Sequence, residues 1–269
     1  MNEARAVNAF SPLRVWSRVA VELASLYCSL LLLALICLGW SLITLPLYPL
    51  LPRRAARAFG RRGIMGGFRL YVHWLQWIGA YRLDLTELDT LRDGPPLILA
   101  PNHPALIDAV LVLSRHPNLA CVMKADLMAN ILLGPGARLA RYIRNGSPRQ
   151  MVREAVRDLR AGGSLLLFPE GTRSTRAPLN ALSRSVGVIA RRSGVPVQTV
   201  LIDTDSPFLS KGWPLWRRPP LPITCRVRLG RRFDPPADLD GFMHELERHF
   251  RSELQGGAAA QWIGRPDSR

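Results

Sequence analysis

Two short stretches of this chain carry residue types that could do chemistry: Asn102-His103-Pro104-Ala105-Leu106-Ile107-Asp108 and Glu170-Gly171-Thr172-Arg173-Ser174. In the first, Pro104 suits the opening position of a helix, where a missing N–H has no partner to lose. This predicts a helix over 105–114 with His103 at its lip. Two residues five apart inside one helix point about 140° away from each other. With His103 off the helix end, Asp108 in the second turn can face back towards the imidazole. A carboxylate on one ring nitrogen fixes the tautomer and supports the imidazolium, leaving the other nitrogen to take a proton. That is two thirds of a catalytic triad, and a substrate hydroxyl can stand in for the nucleophilic side chain. The chain has no Gly-x-Ser-x-Gly elbow, which argues against a serine hydrolase. Taken alone, a His–Asp pair also fits a structural histidine. His73, His116, His244 and His249 lack such a setting and are given no role.

The second stretch offers anion-binding chemistry. Gly171 permits a tight turn that exposes N–H groups, and Arg173 can bind a phosphate with two parallel hydrogen bonds. Glu170 can hold that arginine in place or hydrogen-bond a substrate hydroxyl. A helix-capping turn with a surface ion pair fits the same residues.

These stretches must be positioned by a scaffold. Leu97–Ala100, Cys121–Met123, Ser164–Phe168 and Val197–Ile202 read as short buried strands, and Cys225–Leu229 as an edge strand. Helical periodicity covers 149–161, 182–193 and 239–254. The alternation predicts an α/β fold with a mixed, largely parallel sheet flanked by helices. In such sheets ligands gather at the carboxyl ends of strands, and both polar stretches follow a strand.

Ahead of this region, no charged residue occurs from Leu23 to Pro52. A helix over 23–45 would be about 34 Å long, enough for a hydrocarbon core of roughly 30 Å. The run is longer than the apolar part of a secretory signal and lacks a small-residue cleavage site. It predicts a hydrophobic membrane helix, although a surface-lying helix or a helical hairpin fits too. Arg53, Arg54, Arg57, Arg61 and Arg62 outnumber Arg5, Arg14 and Arg18 on the other flank, which places the chain after Arg53 in the cytoplasm. Residues 64–78 read as a second helix, either interfacial or core. The expected organisation is a membrane-anchoring helical region over 1–80, a cytoplasmic α/β domain over 81–254 and a loose tail over 255–269.

The chain has 269 residues, 36 Lys and Arg against 20 Asp and Glu, and a net charge of +16. That surplus points to a polyanionic partner: nucleic acid, an acidic lipid surface or an acidic carrier protein. Lys211-Gly212-Trp213-Pro214-Leu215-Trp216-Arg217-Arg218 mixes cations with aromatics, as single-strand binders and membrane contacts both do. The apolar run favours the membrane, so no nucleic-acid partner is expected. Cys28, Cys37, Cys121 and Cys225 have no metal-knuckle spacing, so they read as isolated thiols in a reducing compartment.

Together the two polar stretches resemble the glycerolipid acyltransferase family, which includes the 1-acylglycerol-3-phosphate acyltransferases. Its His-x4-Asp motif is matched by His103 to Asp108. Its Phe-Pro-Glu-Gly-Thr-Arg-Ser motif is matched without change from Phe168 to Ser174, and Val195-Pro196-Val197 is similar to a later element. The resemblance covers roughly residues 80 to 230. It implies that His103 deprotonates an acceptor hydroxyl, oriented by Asp108, and that this oxygen attacks the thioester of acyl-CoA or acyl-carrier protein. Asn102, Glu170, Gly171, Thr172 and Arg173 would bind the acceptor. Lys124 stands where related sequences place a phosphate-contacting lysine. No metal or other cofactor is implied. The expected substrates are therefore an acyl donor and a lysophospholipid drawn from the membrane. Two departures concern the acceptor. The family's Phe-Ile-Asp-Arg is Tyr142-Ile143-Arg144-Asn145 here, so the arginine comes one residue early, and a one-residue shift exchanges the faces of a strand. A later lysine–glycine element is represented by Ser183-Arg184-Ser185. Another lyso-lipid or specialised lipid acceptor is the alternative that these departures raise.

Overall fold

Two long helices come first in the computed structural model, which describes residues 12–261 and 263: α1 (Pro12–Leu50) and α2 (Arg53–Trp77). Arg5 and the stretch 264–269 lie outside the described residues. α1 continues through Pro46 and Pro49 and ends just before Pro52, whose extended backbone opens α2. Proline cannot continue one helix but suits the start of the next. The two helices fold back on each other, with Trp40 against Phe59 at 5.3 Å between ring centroids. Gly63 makes this approach possible, since a Cβ there would lie 2.0 Å from the Trp40 ring.

α1 is apolar on every side, yet only one side is covered. Leu26, Ser29, Cys37, Ser41 and Thr44 are buried, whereas Val21, Tyr27, Leu31, Leu35, Leu42 and Leu45 are exposed. By length and composition, α1 could cross a membrane.

The remaining elements are β1 (Tyr81–Asp84), α3 (Thr86–Asp89), β2 (Ile98–Pro101), α4 (Asp108–Leu113), β3 (Leu119–Lys124), α5 (Ala125–Ala129), α6 (Gly134–Leu139), β4 (Ile143–Asn145), α7 (Pro148–Arg160), β5 (Ser164–Leu166), α8 (Ser185–Ser193), β6 (Val197–Thr204), β7 (Ile223–Phe233) and α9 (Leu239–Leu254). The strands form one sheet in the order β1-β7-β6-β2-β5-β3-β4. Every pairing is parallel except β6 with β7. Side chains alternate across a strand, so the sheet has two apolar faces. Leu99, Leu119, Cys121 and Leu166 pack with Leu26, Tyr71, Leu75 and Leu111 from α1, α2 and α4. Ile98, Ala120 and Leu165 pack with Ala155, Ile189 and Phe250 from α7, α8 and α9. The α/β architecture with a mostly parallel sheet is the one the alternating pattern predicts.

Several local expectations are corrected. The strand expected at the sheet edge, Cys225–Leu229, is the middle of an eleven-residue β7 whose flank is covered by β1. The segment after Leu254 is not loose as far as it is described. Asp203 accepts hydrogen bonds from Ala258 N and Ala259 N at 3.1 and 2.9 Å, and Ala259 and Ile263 are buried. Two of the arginines taken as membrane-flanking charges serve another purpose. Arg61 is fully buried, donating to Ala140 O (3.1 Å), Asn118 Oδ1 (2.9 Å) and Asp158 Oδ1 (2.8 Å). Arg57 donates to Asp158 Oδ1 and Ala161 O. Both therefore fasten α2 to the domain, leaving Arg53, Arg54 and Arg62 exposed.

His116 lies beside this cluster, buried, with Nδ1 accepting from Asn118 N at 3.2 Å. Burial, aided by the charge of Arg61, pulls its pKa down to about 4 from an ordinary 6.5. The folded state therefore stays neutral between these values while the unfolded chain takes a proton. Stability is expected to fall as pH drops from about 6.5 towards 4, by up to about 3 kcal/mol. His116→Asn retains an acceptor for Asn118 N and should flatten that limb, which thermal melts in detergent at pH 7.5 and 5 would measure.

Candidate active site

The carboxyl ends of β2, β5, β3 and β4, four neighbouring parallel strands, carry His103, Glu170, Lys124 and Arg144 respectively. The helix expected from Ala105 begins only at Asp108, and residues 104–107 form turns. Asp108 thus stands in the first turn of α4 rather than the second. From there its Oδ2 lies 2.8 Å from His103 Nδ1 and also accepts from Ala105 N at 2.8 Å. The carboxylate closes the loop that carries the histidine. The pairing expected from the spacing is present, reached by a turn instead of a helix face.

Asp108 is 0% exposed, and its Oδ1 has no hydrogen-bond partner among the described residues. Burial pushes its pKa up, while His103, the Ala105 N–H and the charge of Arg173 oppose that rise. The imidazole stacks on Phe168 with ring centroids 3.9 Å apart and planes 24° from parallel. His103 and Phe168 follow Leu99 and Leu166 at even spacing, so strand alternation puts both on the α1–α2 side of the sheet. With Nδ1 facing Asp108 and one ring face on Phe168, Nε2 is the nitrogen left to meet a ligand.

Glu170 does not hold Arg173, the first of the two roles the sequence suggested for it. Its Oε1 accepts from His103 N (3.0 Å) and Ser174 Oγ (2.7 Å), and its Oε2 accepts from Asn180 N (2.9 Å). It is buried, which pushes its pKa up. This carboxyl group joins the two polar stretches to each other, helped by Ser174 N donating to His103 O at 2.7 Å. Arg173 is instead held by loop carbonyls, with Nη1 donating to Leu209 O and Ser210 O at 2.8 Å each. Gly171 has φ +66°, the left-handed turn for which glycine is suited. Thr172 is half-buried in the same turn.

Asn102 is also occupied internally. Its Nδ2 donates to Ile202 O (2.8 Å) and its Oδ1 accepts from Ile202 N (2.7 Å). The side chain thereby imitates one more residue of β2 pairing with β6, which fixes the exit of the strand just before His103. Lys124 and Arg144 are exposed at neighbouring strand ends, in a register that sets Met123 opposite Arg144 and Lys124 opposite Asn145. Alternation from Cys121 and Ile143 therefore turns Arg144 towards the face of His103, and turns Lys124 and Asn145 to the other. The early arginine of the sequence thus shares its face with the histidine.

Sequence reasoning left out Phe168 as a platform, Asn180 as a brace and the Leu209–Ser210 carbonyls. Phe168 lay inside a quoted motif. The other residues are remote in sequence and carried no signal. Among the described residues, no cluster of three His, Cys, Asp or Glu is placed to hold a metal ion.

A family model described as acyltransferase matches residues 82–203 of this chain. The 1-acyl-sn-glycerol-3-phosphate acyltransferase of Pseudomonas aeruginosa is 23% identical over 207 residues, spanning 74% of this chain and 77% of that protein. Its namesake from Limnanthes alba is 28% identical over 211 residues, spanning 75% and 69%. Among solved structures, the 1-acyl-sn-glycerophosphate (LPA) acyltransferase PlsC from Thermotoga maritima shares the fold. Its TM-score is 0.67 at 20% identity, covering 88% of this chain and 96% of that one.

Proposed function

Because this chain belongs to the glycerolipid acyltransferase family, we propose that it moves a fatty acyl group from acyl-CoA or acyl-carrier protein to a lysophospholipid hydroxyl, chiefly that of 1-acylglycerol-3-phosphate, giving phosphatidic acid. The observation that carries this reading is the 2.8 Å contact of His103 with a fully buried Asp108. Ionised Asp108 accepts from Nδ1–H, so the Nε2 lone pair takes the acceptor's hydroxyl proton as that oxygen attacks the thioester carbonyl. The C–S bond then breaks, and the departing thiolate regains the proton from the imidazolium. Phe168 keeps the ring in one plane throughout.

The acceptor phosphate belongs near Arg144 and Arg173, with Lys124 at the rim. β2 and β4 are separated by β5 and β3, so His103 and Arg144 start about 14 Å apart at the usual strand spacing. A lysophospholipid with its hydroxyl on Nε2, met by an extended arginine, spans that gap. The net charge of +16 favours approach of a phosphate-bearing or acidic acyl carrier.

The apolar helix α1 also suggests membrane association. α1 is covered along one side from Glu22 to Thr44, a length of about 33 Å at 1.5 Å per residue. Standing this helix upright would drag the polar domain into the hydrocarbon. We therefore place the α1–α2 hairpin along one leaflet with its open apolar side in lipid. Arg53, Arg54 and Arg62 lie at the headgroups of the cytoplasmic face.

The decisive experiment supplies purified protein with labelled acyl-CoA or acyl-carrier protein and a panel of lysophospholipids and acylated amino acids. Lysophosphatidic acid is expected to react fastest. A roughly tenfold or greater preference for another acceptor, equivalent to about 1.4 kcal/mol in the transition state, would overturn the acceptor assignment. It would also make Asn145 the residue to examine.

A further inference from the structure

Residues 205–222, between β6 and β7, form an ordered excursion that the acyl-transfer scheme does not use. Trp213 is buried at its centre, edge-on to Phe208, with Nε1 donating to Arg217 O at 3.0 Å and the Arg217 guanidinium 4.6 Å above its ring. The tip is the reverse of this, since Leu215 is 53% and Trp216 79% exposed. Lys211, Arg217 and Arg218 surround the tip at the surface. Arg218 forms an ion pair with Glu22 on the covered side of α1, while Leu221 and Pro222 line one cavity with the exposed Val21, so the excursion adjoins the edge of the uncovered side of the hairpin. At its base, Leu209 has φ +62°, an unusual conformation for leucine. The carbonyl of that residue accepts from both Leu106 N (3.0 Å), inside the His103–Asp108 turn, and Arg173 Nη1 (2.8 Å).

The geometry points to residues 205–222 as a second membrane-docking element, whose Leu215–Trp216 tip enters the lipid interface while Lys211, Arg217 and Arg218 meet anionic headgroups. A tryptophan beside basic residues is the composition that prefers this depth. Docking of the tip fixes the Leu209 carbonyl, and with it both Arg173 and the turn that carries His103. The site is thereby set for an acceptor that arrives from the bilayer. The occupant is a lipid surface, because the exposed tip is apolar, the cations around it complement anionic headgroups, and the excursion adjoins the edge of the uncovered side of α1. This inference rests on the reading of the hairpin as lipid-facing.

The test separates the two. Cys28 is exposed, whereas Cys37, Cys121 and Cys225 are buried. Cys28→Ser with Trp216→Cys therefore gives one labelling site for an environment-sensitive fluorophore. Vesicles of phosphatidylglycerol and phosphatidylethanolamine should shift its emission to the blue and raise its intensity. A protein that floats with the vesicles while its probe still reports water would overturn tip insertion and leave the hairpin standing. Failure to float would overturn both. In the full chain, Trp216→Asp is expected to slow acyl transfer to vesicle-borne lysophosphatidic acid about tenfold. Transfer to a short-chain, freely dissolved lysophospholipid should change less than about twofold. Equal loss on both acceptors, or on neither, would overturn the coupling of docking to the site.

Discussion

His103→Ala is expected to lower acyl transfer by about 10²–10⁴-fold, the usual contribution of a positioned general base, and to lower the melting temperature as well, because the buried Asp108 loses one of its two hydrogen bonds. The ring is half-buried and its removal frees no buried charge except that of Asp108, which retains the Ala105 N–H. Asp108→Asn is the sharper companion. Its carbonyl oxygen can take the place of Oδ2 and still accept from Ala105 N, while its amide nitrogen fills the position of Oδ1, which has no partner among the described residues. The turn should survive while the negative charge that supports the imidazolium is lost. We expect kcat to fall steeply with KM nearly unchanged, as for an interaction made only in the transition state. Steady-state kinetics with labelled donor checks both variants. Undiminished turnover in a folded His103→Ala protein would remove the proposed base.

The second large effect concerns stability. Arg61→Ala would leave Asp158, whose side chain is only 11% exposed, with the more distant Arg57 as its remaining cation, at 3.4 Å. It would also strand Ala140 O and Asn118 Oδ1. Breaking a buried ion pair from one side costs about 3–5 kcal/mol. For a chain of this size that corresponds to a fall in Tm of about 6–20 °C, measurable by thermal melting in detergent. Replacing both partners with apolar residues should cost much less, because no buried charge is then left alone. A small effect of Arg61→Ala would mean that α2 is held by its apolar face and that the arginine adds little.

The parts of this protein that were legible in its sequence are those where one short segment carries its own signal. The parallel core strands announce themselves as brief apolar runs, and 239–254 is helical from end to end as its periodicity predicts. The His103–Asp108 contact was legible because both residues belong to one turn. Its mechanism was not, since the carboxylate also caps Ala105 N and delays the helix to Asp108. Glu170, Asn102 and Arg173 show the limit more plainly. Each is a polar residue at a strand end, and residue type alone suggests a ligand. Within the chain their hydrogen bonds go to Asn180, Ile202 and Leu209, up to 100 residues away, and these partners carried no local signal. The status of β7 depended in the same way on β1, a four-residue strand too short to show a pattern of its own. The face of Arg144 required the register of β3 with β4, a pairing that composition does not encode.

The covered side of α1 has a consequence for the order of events during synthesis. Beside α2, the groups that cover it come from far along the chain: Ser41 donates to Leu132 O across 91 positions, and Glu22 pairs with Arg218 across 196. At about 5–20 residues per second of translation, Arg218 is made some 10–40 s after Glu22. During that interval α1 has α2 to pack against, through Trp40 and Phe59, but not the sheet. The domain therefore folds last, onto a helical hairpin already made, and the covered side of α1 is complete only once residues as late as Arg218 have emerged.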